Sequence, residues 1–469
     1  MINHCNGFLG NFRSTFTRSS LAKVRIAPPT WEELEETISK SRLVTSSPPQ
    51  LTLYRDTNGW CPFCERVWLA LEIKGISYKE SLINLQKKPD WYLDMVPTGL
   101  TPAVMIYDEL LSKSDKSDSE EEEKVDNTPV PPQRTVIWES GDILQALDDL
   151  FPDTLPLLLD TPEYKAADEL IEKLTMAGFG YIYAGRNQTL SEEEKLEKKK
   201  TFEKYLNELD ALIGSHGEKS FILGNSISGI DVKIIPAMER WRYQMPLTTE
   251  MDLFENRPNI QNWFEETLDK FGPYANRVVG DQYSWTAVSS YFLTVFGEKD
   301  EHGNPTPEAQ AKMKKSDELA ESLMKDFTSP ASHYFSSLSE EEVKFRAVSK
   351  IVTNHENIVT DCTNGDPMTQ KDVPRAKYIQ SADKALRAVV QSLLEKGAKN
   401  KDASTPSFED GADAMDASIA MRTIAQRLCV PRDMGAPSAA ALRNALMRMS
   451  QQIDDEYNIV KKTEEKVTI

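Results

Sequence analysis

The chain has 469 residues, of which 39% are hydrophobic and 28% charged, and it carries a formal net charge of −19. At roughly 100–200 residues per domain this predicts about two to four domains. The acidity excludes the basic footprint expected of a nucleic-acid binder and disfavours adsorption on an anionic membrane surface; no apolar run reaches the ~18 residues that a membrane span needs.

From Met1 to Thr30 the chain has no Asp or Glu, while Arg13, Arg18, Lys23 and Arg25 are basic and Ser and Thr are frequent. That is the composition of an organelle transit peptide; the alternative is a plain disordered tail with a chance charge bias. Residues 1–28 are therefore read as a targeting or disordered segment, which places the protein in a plastid or in the cytoplasm. Pro28-Pro29-Thr30-Trp31-Glu32-Glu33 reads as a helix start, with Thr30 and Glu33 at capping-box spacing. Leu51–Tyr54 is a short strand. After a turn containing Asn58-Gly59, the run Cys61-Pro62-Phe63-Cys64 opens a helix predicted to reach Lys74, with Gly75 as its left-handed cap.

Further strands are predicted over 76–85, 102–107 and 135–138, with a short helix over 89–95 and a longer one over 140–150. The order β-α-β-α-β-β-α is that of a thioredoxin-like α/β domain, assigned to residues 29–158. Within it, Ser112–Gln133 holds Glu120-Glu121-Glu122-Glu123, a like-charge block expected to stay solvated as a disordered insert. Residues 159–298 read as all-helical, with candidates over 162–176, 191–213, 229–243 and 260–271. Ser228-Gly229-Ile230-Asp231 has capping-box spacing at the start of the third. After a polar linker, residues 307–454 read as a helical extension, with helices over 307–324, 339–357, 370–396, 411–428 and 438–452. Residues 455–469 read as a loose tail.

The chemistry concentrates at Cys61. A thiol attacks as its thiolate, and the N–H groups and dipole at a helix N-terminus stabilise that charge. A cysteine placed just before a helix, at the end of a strand–turn, meets this condition. Cys64 lies one turn further in and is expected to be more buried and less reactive. A zinc site would need a second ligand pair; Cys5, Cys362 and Cys429 are scattered, and none of the five histidines sits at ligand spacing. No metal is expected. So few cysteines also argue for a reducing compartment. Two mechanisms remain open for the pair. Cys61 can form a mixed disulfide with a substrate that a second thiol releases, or Cys64 can resolve the mixed disulfide.

Several segments together carry a resemblance. Cys61-Pro62-Phe63-Cys64-Glu65-Arg66-Val67-Trp68, Asn84-Leu85-Gln86-Lys87-Lys88-Pro89-Asp90-Trp91-Tyr92, Val96-Pro97-Thr98-Gly99-Leu100-Thr101-Pro102-Ala103-Val104 and Trp138-Glu139-Ser140 occur in the order found in cysteine-type glutathione transferases. The chain resembles the omega and lambda classes over about 51–271. The second cysteine, the long extension and Cys429-Val430-Pro431-Arg432-Asp433-Met434 are similar to the iota class. The resemblance implies an all-α glutathione-transferase C-terminal domain over 159–298. It implies glutathione as the cofactor, with Cys61 facing its sulfur. It also groups Phe63 with the glutathione-contacting residues. Lys88 would pair with the glycine carboxylate, Thr101 before a cis Pro102 with the cysteinyl backbone, and Glu139 and Ser140 with the γ-glutamyl end.

A carboxylate, a lysine and a hydroxyl at a helix start suit a ligand with one ammonium and two carboxylates. Read singly, Lys88 is a solvated lysine and Glu139-Ser140 a helix cap. Trp241, Arg242 and Tyr243 are the candidates for an acceptor site, against a packing role. The implied activity is thiol transfer or reduction on a small electrophilic or glutathionylated substrate, such as deglutathionylation or the reduction of dehydroascorbate or a glutathionyl quinone. A non-catalytic scaffold for ligands or proteins and a thioredoxin-like dithiol reductase are the alternatives. A homodimer is the assembly considered. Asn354-His355-Glu356 and the small-residue helix from Gly411 to Met421 are read as structural.

Overall fold

The computed structural model describes residues 27–41, 48–107, 135–184, 190–217, 221–327, 334, 336–364, 379–395 and 405–457. The acidic insert over 112–133, all but the end of the expected targeting segment and most of the expected tail lie outside these residues.

The chain enters through α1 (Trp31–Ser39), closed by the expected capping box: the Thr30 N–H donates to Glu33 at 2.8 Å, and the Glu33 N–H donates back to the Thr30 hydroxyl at 3.3 Å. The thioredoxin-like unit follows as β1 (Leu51–Asp56), α2 (Pro62–Lys74), β2 (Tyr78–Ile83), α3 (Asp90–Met95), β3 (Ala103–Ile106), β4 (Thr135–Trp138) and α4 (Ser140–Leu150). The sheet order is β2-β1-β3-β4, with β1 and β2 parallel and the other neighbours antiparallel. β1 is buried along its whole length, as a central strand covered on both faces must be. α2 buries Val67 to Leu71 against it, and Gly75 ends that helix at φ 65°. A glycine adopts this left-handed conformation without a Cβ penalty.

The helical region comprises α5 (Pro162–Ala184), α6 (Glu192–Ser215), α7 (Gly229–Thr248), the short α8 (Pro258–Asn262) and α9 (Gln282–Phe296). α5 extends two turns past the expected end. The helix expected over 260–271 is instead broken. α8 passes into a π turn over Trp263–Thr267 and a 3-10 turn over Leu268–Lys270, and a second π turn covers Tyr274–Val278. Such widened turns let Trp263 and Tyr274, each 2% exposed or less, reach inward to buried carboxylates. Trp263 donates to Asp231 at 3.2 Å. Asp231 also accepts from the Ser228 N–H and hydroxyl and from the Ile222 N–H, all at 3.0 Å, so one carboxylate ties the start of α7 to its surroundings.

The extension consists of α10 (Pro307–Asp326), α11 (Glu340–Asn364), α12 (Ile379–Leu394), α13 (Gly411–Arg427) and α14 (Ala436–Tyr457). Ala414, Ala417 and Ala420 on α13 and Ala436, Ala439 and Ala440 on α14 are buried, and these small side chains let the two helices approach closely. The extension is not appended as a separate body. Leu51, Val67, Ile230, Val348 and Leu446 belong to one contiguous core. At its centre Arg443 of α14 pairs with Asp281, the N-cap of α9, and both side chains are fully buried. The same guanidinium donates to the Leu428 carbonyl and to Ser284, and lies over the rings of Tyr283 (4.6 Å) and Phe327 (5.1 Å).

α1, grouped by sequence with the thioredoxin-like unit, also lies on the extension. Trp31 stacks on His355 with ring centroids 4.2 Å apart and donates to Asp383 at 2.6 Å. Arg387 closes over the preceding turn through the carbonyls of Pro28 and Pro29. His355, read from the sequence as structural, is a stacking partner.

Candidate active site

The sheet register brings the singled-out segments to one end of the molecule. Asp56, the last residue of β1, pairs with Ile83, so the parallel β2 delivers the segment leading to Lys88 to the same end. Tyr54 pairs with Ala103, placing Thr101 and Pro102 beside the β1–α2 turn. Ala103 pairs with Trp138, adding Glu139 and Ser140. Cys61, Lys88, Thr101 and Glu139 therefore share one edge although up to 78 positions separate them in the chain.

Cys61 is the N-cap residue of α2, with extended backbone (φ −75°, ψ 115°) and Pro62 in the first helical position. It is half-buried, and its Sγ lies 4.0 Å from the Thr101 carbonyl. The Thr101–Pro102 bond is cis. The Cys64 thiol, one turn further in, donates to Cys61 and holds its pKa below the ordinary thiol value; the N–H groups of Phe63 and Cys64 act in the same direction, while burial and the Asp56 charge oppose them. Cys64 itself is 1% exposed, and burial pushes its thiol well above the usual value. Burial likewise pushes Cys362 up to about 12 and Cys429 to about 11. Among the described cysteines, only Cys61 has its pKa lowered, and thiolate fraction controls reactivity.

Glu139 precedes α4 at φ 70°, ψ 123°, an unusual conformation for a residue with a Cβ. Its side chain is exposed and makes no capping hydrogen bond. The capping role open to it in the sequence is thus not the one it plays. A backbone outlier of this kind costs about 1–3 kcal/mol and persists where surrounding structure imposes it, often at a binding site. Ser140 is buried at the first turn of α4, and Lys88 is half-buried beyond β2.

Beside the thiol stands a wall of rings. Trp60 lies 5.5 Å from Phe292 and 5.7 Å from Tyr291. Phe292 stacks on Phe296 at 5.7 Å, Phe296 meets Tyr183 at 5.3 Å, and Tyr183 stacks on Phe179 at 6.2 Å. Phe179 returns to Phe63 at 6.4 Å. The circuit starts at Trp60, immediately before Cys61, and ends at Phe63, two residues after it. Phe63 (39% exposed) and Tyr183 (46%) keep open faces, and Trp60, Phe179, Phe292 and Phe296 are half-buried.

The residues singled out for an acceptor are placed elsewhere. Trp241 is 2% exposed, packed edge-on against Phe202 and behind Phe179. Arg242 pairs with Asp269 at 3.1 Å and covers the Tyr243 ring. This side of α7 serves packing. The rings beside Cys61 come from α5 and α9, and sequence reasoning passed over them. The available signal was the helical spacing of Phe179 with Tyr183 and of Phe292 with Phe296.

Residues 60–150 match the family model of the glutathione S-transferase N-terminal domain, and residues 192–266 match that of the C-terminal domain. The chain is 23% identical over 212 residues to glutathione S-transferase DHAR3, chloroplastic, of Arabidopsis thaliana, covering 45% of this chain and 67% of that protein. It is 28% identical over 211 residues to glutathione S-transferase omega-1 of Rattus norvegicus, covering 44% of this chain and 71% of that one. Among solved structures, Chlamydomonas reinhardtii dehydroascorbate reductase superposes with a TM-score of 0.35 at 19% identity, over 46% of this chain and 87% of the other. No described helix is long and apolar enough to cross a membrane. With the thioredoxin-like sheet, the helices that follow it and both family matches in sequence order, the chain carries the N-terminal and C-terminal domains of the glutathione S-transferase family.

Proposed function

We propose that the protein is a glutathione-dependent thiol transferase and reductase that works through the Cys61 thiolate, with glutathione as its cosubstrate. The observation that carries this reading is the contrast between Cys61, half-exposed at a helix N-terminus with a lowered pKa, and Cys64, buried with a raised one. A cysteine at this position forms a mixed disulfide with glutathione. In a first step the Cys61 thiolate attacks the glutathione sulfur of a disulfide adduct. The new Cys61–glutathione bond forms, the old S–S bond breaks, and the acceptor leaves as a thiolate that takes up a proton. A free glutathione thiolate then attacks the adduct, releases glutathione disulfide and restores Cys61. Glu139, Ser140, Lys88 and the backbone of Thr101 hold the tripeptide during both steps, and Phe63 lines the boundary between it and the acceptor.

The ring circuit supports a flat, weakly polar acceptor. Aromatic stacking adds about 0.5–1.5 kcal/mol per pair beyond burial, and the Arg66 guanidinium lies over the Phe63 ring at 4.9 Å. The raised pKa of Cys64 favours the monothiol route, in which Cys64 donates a hydrogen bond to the Cys61 thiolate. The chloroplastic form named among the relatives and the basic, Ser- and Thr-rich N-terminus support a plastid or cytoplasmic address.

The test is intact mass after incubation with glutathione disulfide. The expected result is one glutathione adduct, present in the wild type and in Cys64→Ser and absent in Cys61→Ser. Loss of two hydrogens with no lasting adduct, turning into a stable adduct in Cys64→Ser, would replace the monothiol route with dithiol chemistry. An unreactive Cys61 would leave a binding scaffold as the better reading.

A further inference from the structure

The turn that carries Cys61 is held by one buried cation from the helical domain. Arg240 of α7 is 6% exposed. Its Nε donates to the Trp60 carbonyl at 3.1 Å and its Nη2 to the Gly59 carbonyl at 3.4 Å, so it binds the two residues immediately before Cys61. Its Nη1 donates to Glu65 at 2.7 Å and to the Pro236 carbonyl at 2.6 Å. Glu65 lies in the first turn of α2, and its own N–H donates to the Cys61 carbonyl at 3.2 Å. One planar group thus touches the chain on both sides of the thiol. Its far face lies over the Trp285 ring at 4.6 Å.

Two further contacts close the turn. The Asp56 carboxylate accepts from the Trp60 N–H at 2.7 Å. On the other side Gly59, at φ 69°, presses on the extension: a Cβ there would lie 3.4 Å from the Arg432 backbone.

We propose that Arg240 is a positioning residue for the Cys61 thiolate, fixing the two carbonyls before it and the first turn of α2 after it so that the sulfur stays over the helix N-terminus. The role suits arginine. Five N–H donors in a rigid fork can span two carbonyls and a carboxylate, which the single ammonium of lysine cannot. The charge balance around it is also particular. Glu65 and Glu239 both approach the one guanidinium, and burial together with the Glu65 charge pushes Glu239 well above the usual carboxylate range. Glu239 is further engaged by Tyr274, the Gly280 N–H and Trp285. Arg240 and Glu65 form the ion pair nearest the turn, at 2.7 Å. The titratable or charged groups described around Cys61 are Asp56 from β1, Cys64, Glu65 and Arg66 from α2, Tyr92 from α3, and Arg240 from α7.

The inference rests on the thiolate reading of Cys61, and its test separates the two. Alkylation of Cys61 by iodoacetamide, located by peptide mass, is followed against pH in the full chain for the wild type, Arg240→Lys, Arg240→Gln and Arg242→Gln. The expected result is that both Arg240 variants move the midpoint upward by about one unit, a ~10-fold slower reaction at pH values below it. Arg242→Gln, which removes a neighbouring arginine paired with Asp269, leaves the midpoint in place. A folded Arg240 variant with the wild-type midpoint overturns the proposal, since a purely structural ion pair would lower thermal stability without moving the thiol. If neither Arg240 variant folds, Glu65→Gln decides. It releases the first turn of α2 from the guanidinium, so the midpoint must rise even though a negative charge is withdrawn, and an unchanged or lower midpoint overturns the proposal. A wild-type Cys61 with an ordinary midpoint would instead refute the thiolate reading itself.

Discussion

Replacing Arg443 with methionine should destabilise the whole chain, including the part that carries Cys61. The substitution roughly conserves volume, so the effect comes from what the guanidinium leaves behind. Asp281 would remain fully buried, with one oxygen still accepting from the Ser284 N–H at 2.8 Å and the other without its cation. Breaking a buried pair by removing one partner costs about 3–5 kcal/mol. The carbonyls of Ala425 and Leu428 also lose a donor, which adds about 1 kcal/mol or more. The double variant Arg443→Met/Asp281→Asn removes the orphaned charge and keeps a cap for Ser284. It should recover about 2 kcal/mol or more of the loss, since replacing both partners of such a pair is far milder than removing one. Urea unfolding of the full chain, followed by far-UV circular dichroism and by exposure of the Cys61 thiol, measures both. A single variant within about 1 kcal/mol of wild type would refute the reasoning. So would a separate early transition in which the extension melts and Cys61 stays protected, because the core would then not be continuous.

Other outcomes follow from the site. Glu139→Gly should relieve the left-handed strain and stabilise the fold by up to ~1 kcal/mol, while raising the KM for glutathione; thermal unfolding and glutathione kinetics together check it, and a destabilised variant with unchanged KM refutes it. Phe292→Ala and Tyr183→Ala should each lower kcat/KM for a flat aromatic glutathione adduct about 10-fold, with the rate of Cys61 alkylation unaltered; equal losses for a small aliphatic adduct would remove the ring wall from acceptor binding. The thiol also links stability to pH. Because the folded state holds Cys61 below its ordinary value, its contribution is full above the unfolded pKa of about 8.5 and fades as pH falls through the lowered folded value. The stability difference between wild type and Cys61→Ser should therefore grow with pH across that window, and a flat difference from about pH 5 to 9 would contradict it.

Local signals in the sequence located the thioredoxin-like unit closely. Pro62 and Gly75 bound α2 in the chain as they do in space, because each acts through its own backbone: one lacks an N–H, the other a Cβ. The capping pairs Thr30–Glu33 and Ser228–Asp231 were equally local. Cys61 was legible for the same reason, since a strand, a turn and a helix start define a thiolate site within a dozen residues. The broken helix after α8 was not legible. Its turns widen to deliver Trp263 and Tyr274 to Asp231 and Glu239, partners 32 and 35 positions away. The ring wall was missed because the turn bearing Trp60, the helix bearing Phe179 and the helix bearing Phe292 come together only on packing. The docking of α1 on the extension likewise depends on Asp383, 352 residues distant. Trp241 illustrates the converse. It was singled out with Arg242 and Tyr243, but successive helical positions point to different faces, and Trp241 packs inward while the preceding Arg240 reaches the turn before Cys61.

The union of Asp281 with Arg443 also imposes an order on the birth of the protein. The two residues are 162 positions apart, and translation proceeds at about 5–20 residues per second. For roughly 8–30 s after Asp281 leaves the ribosome its carboxylate has no cation to join, and so it must stay hydrated. Over the same interval the turn before Cys61 has no Arg432 backbone to rest on. The nascent chain thus holds an unfinished nucleophile, and the sulfur acquires its mature setting only when the final helix has been made.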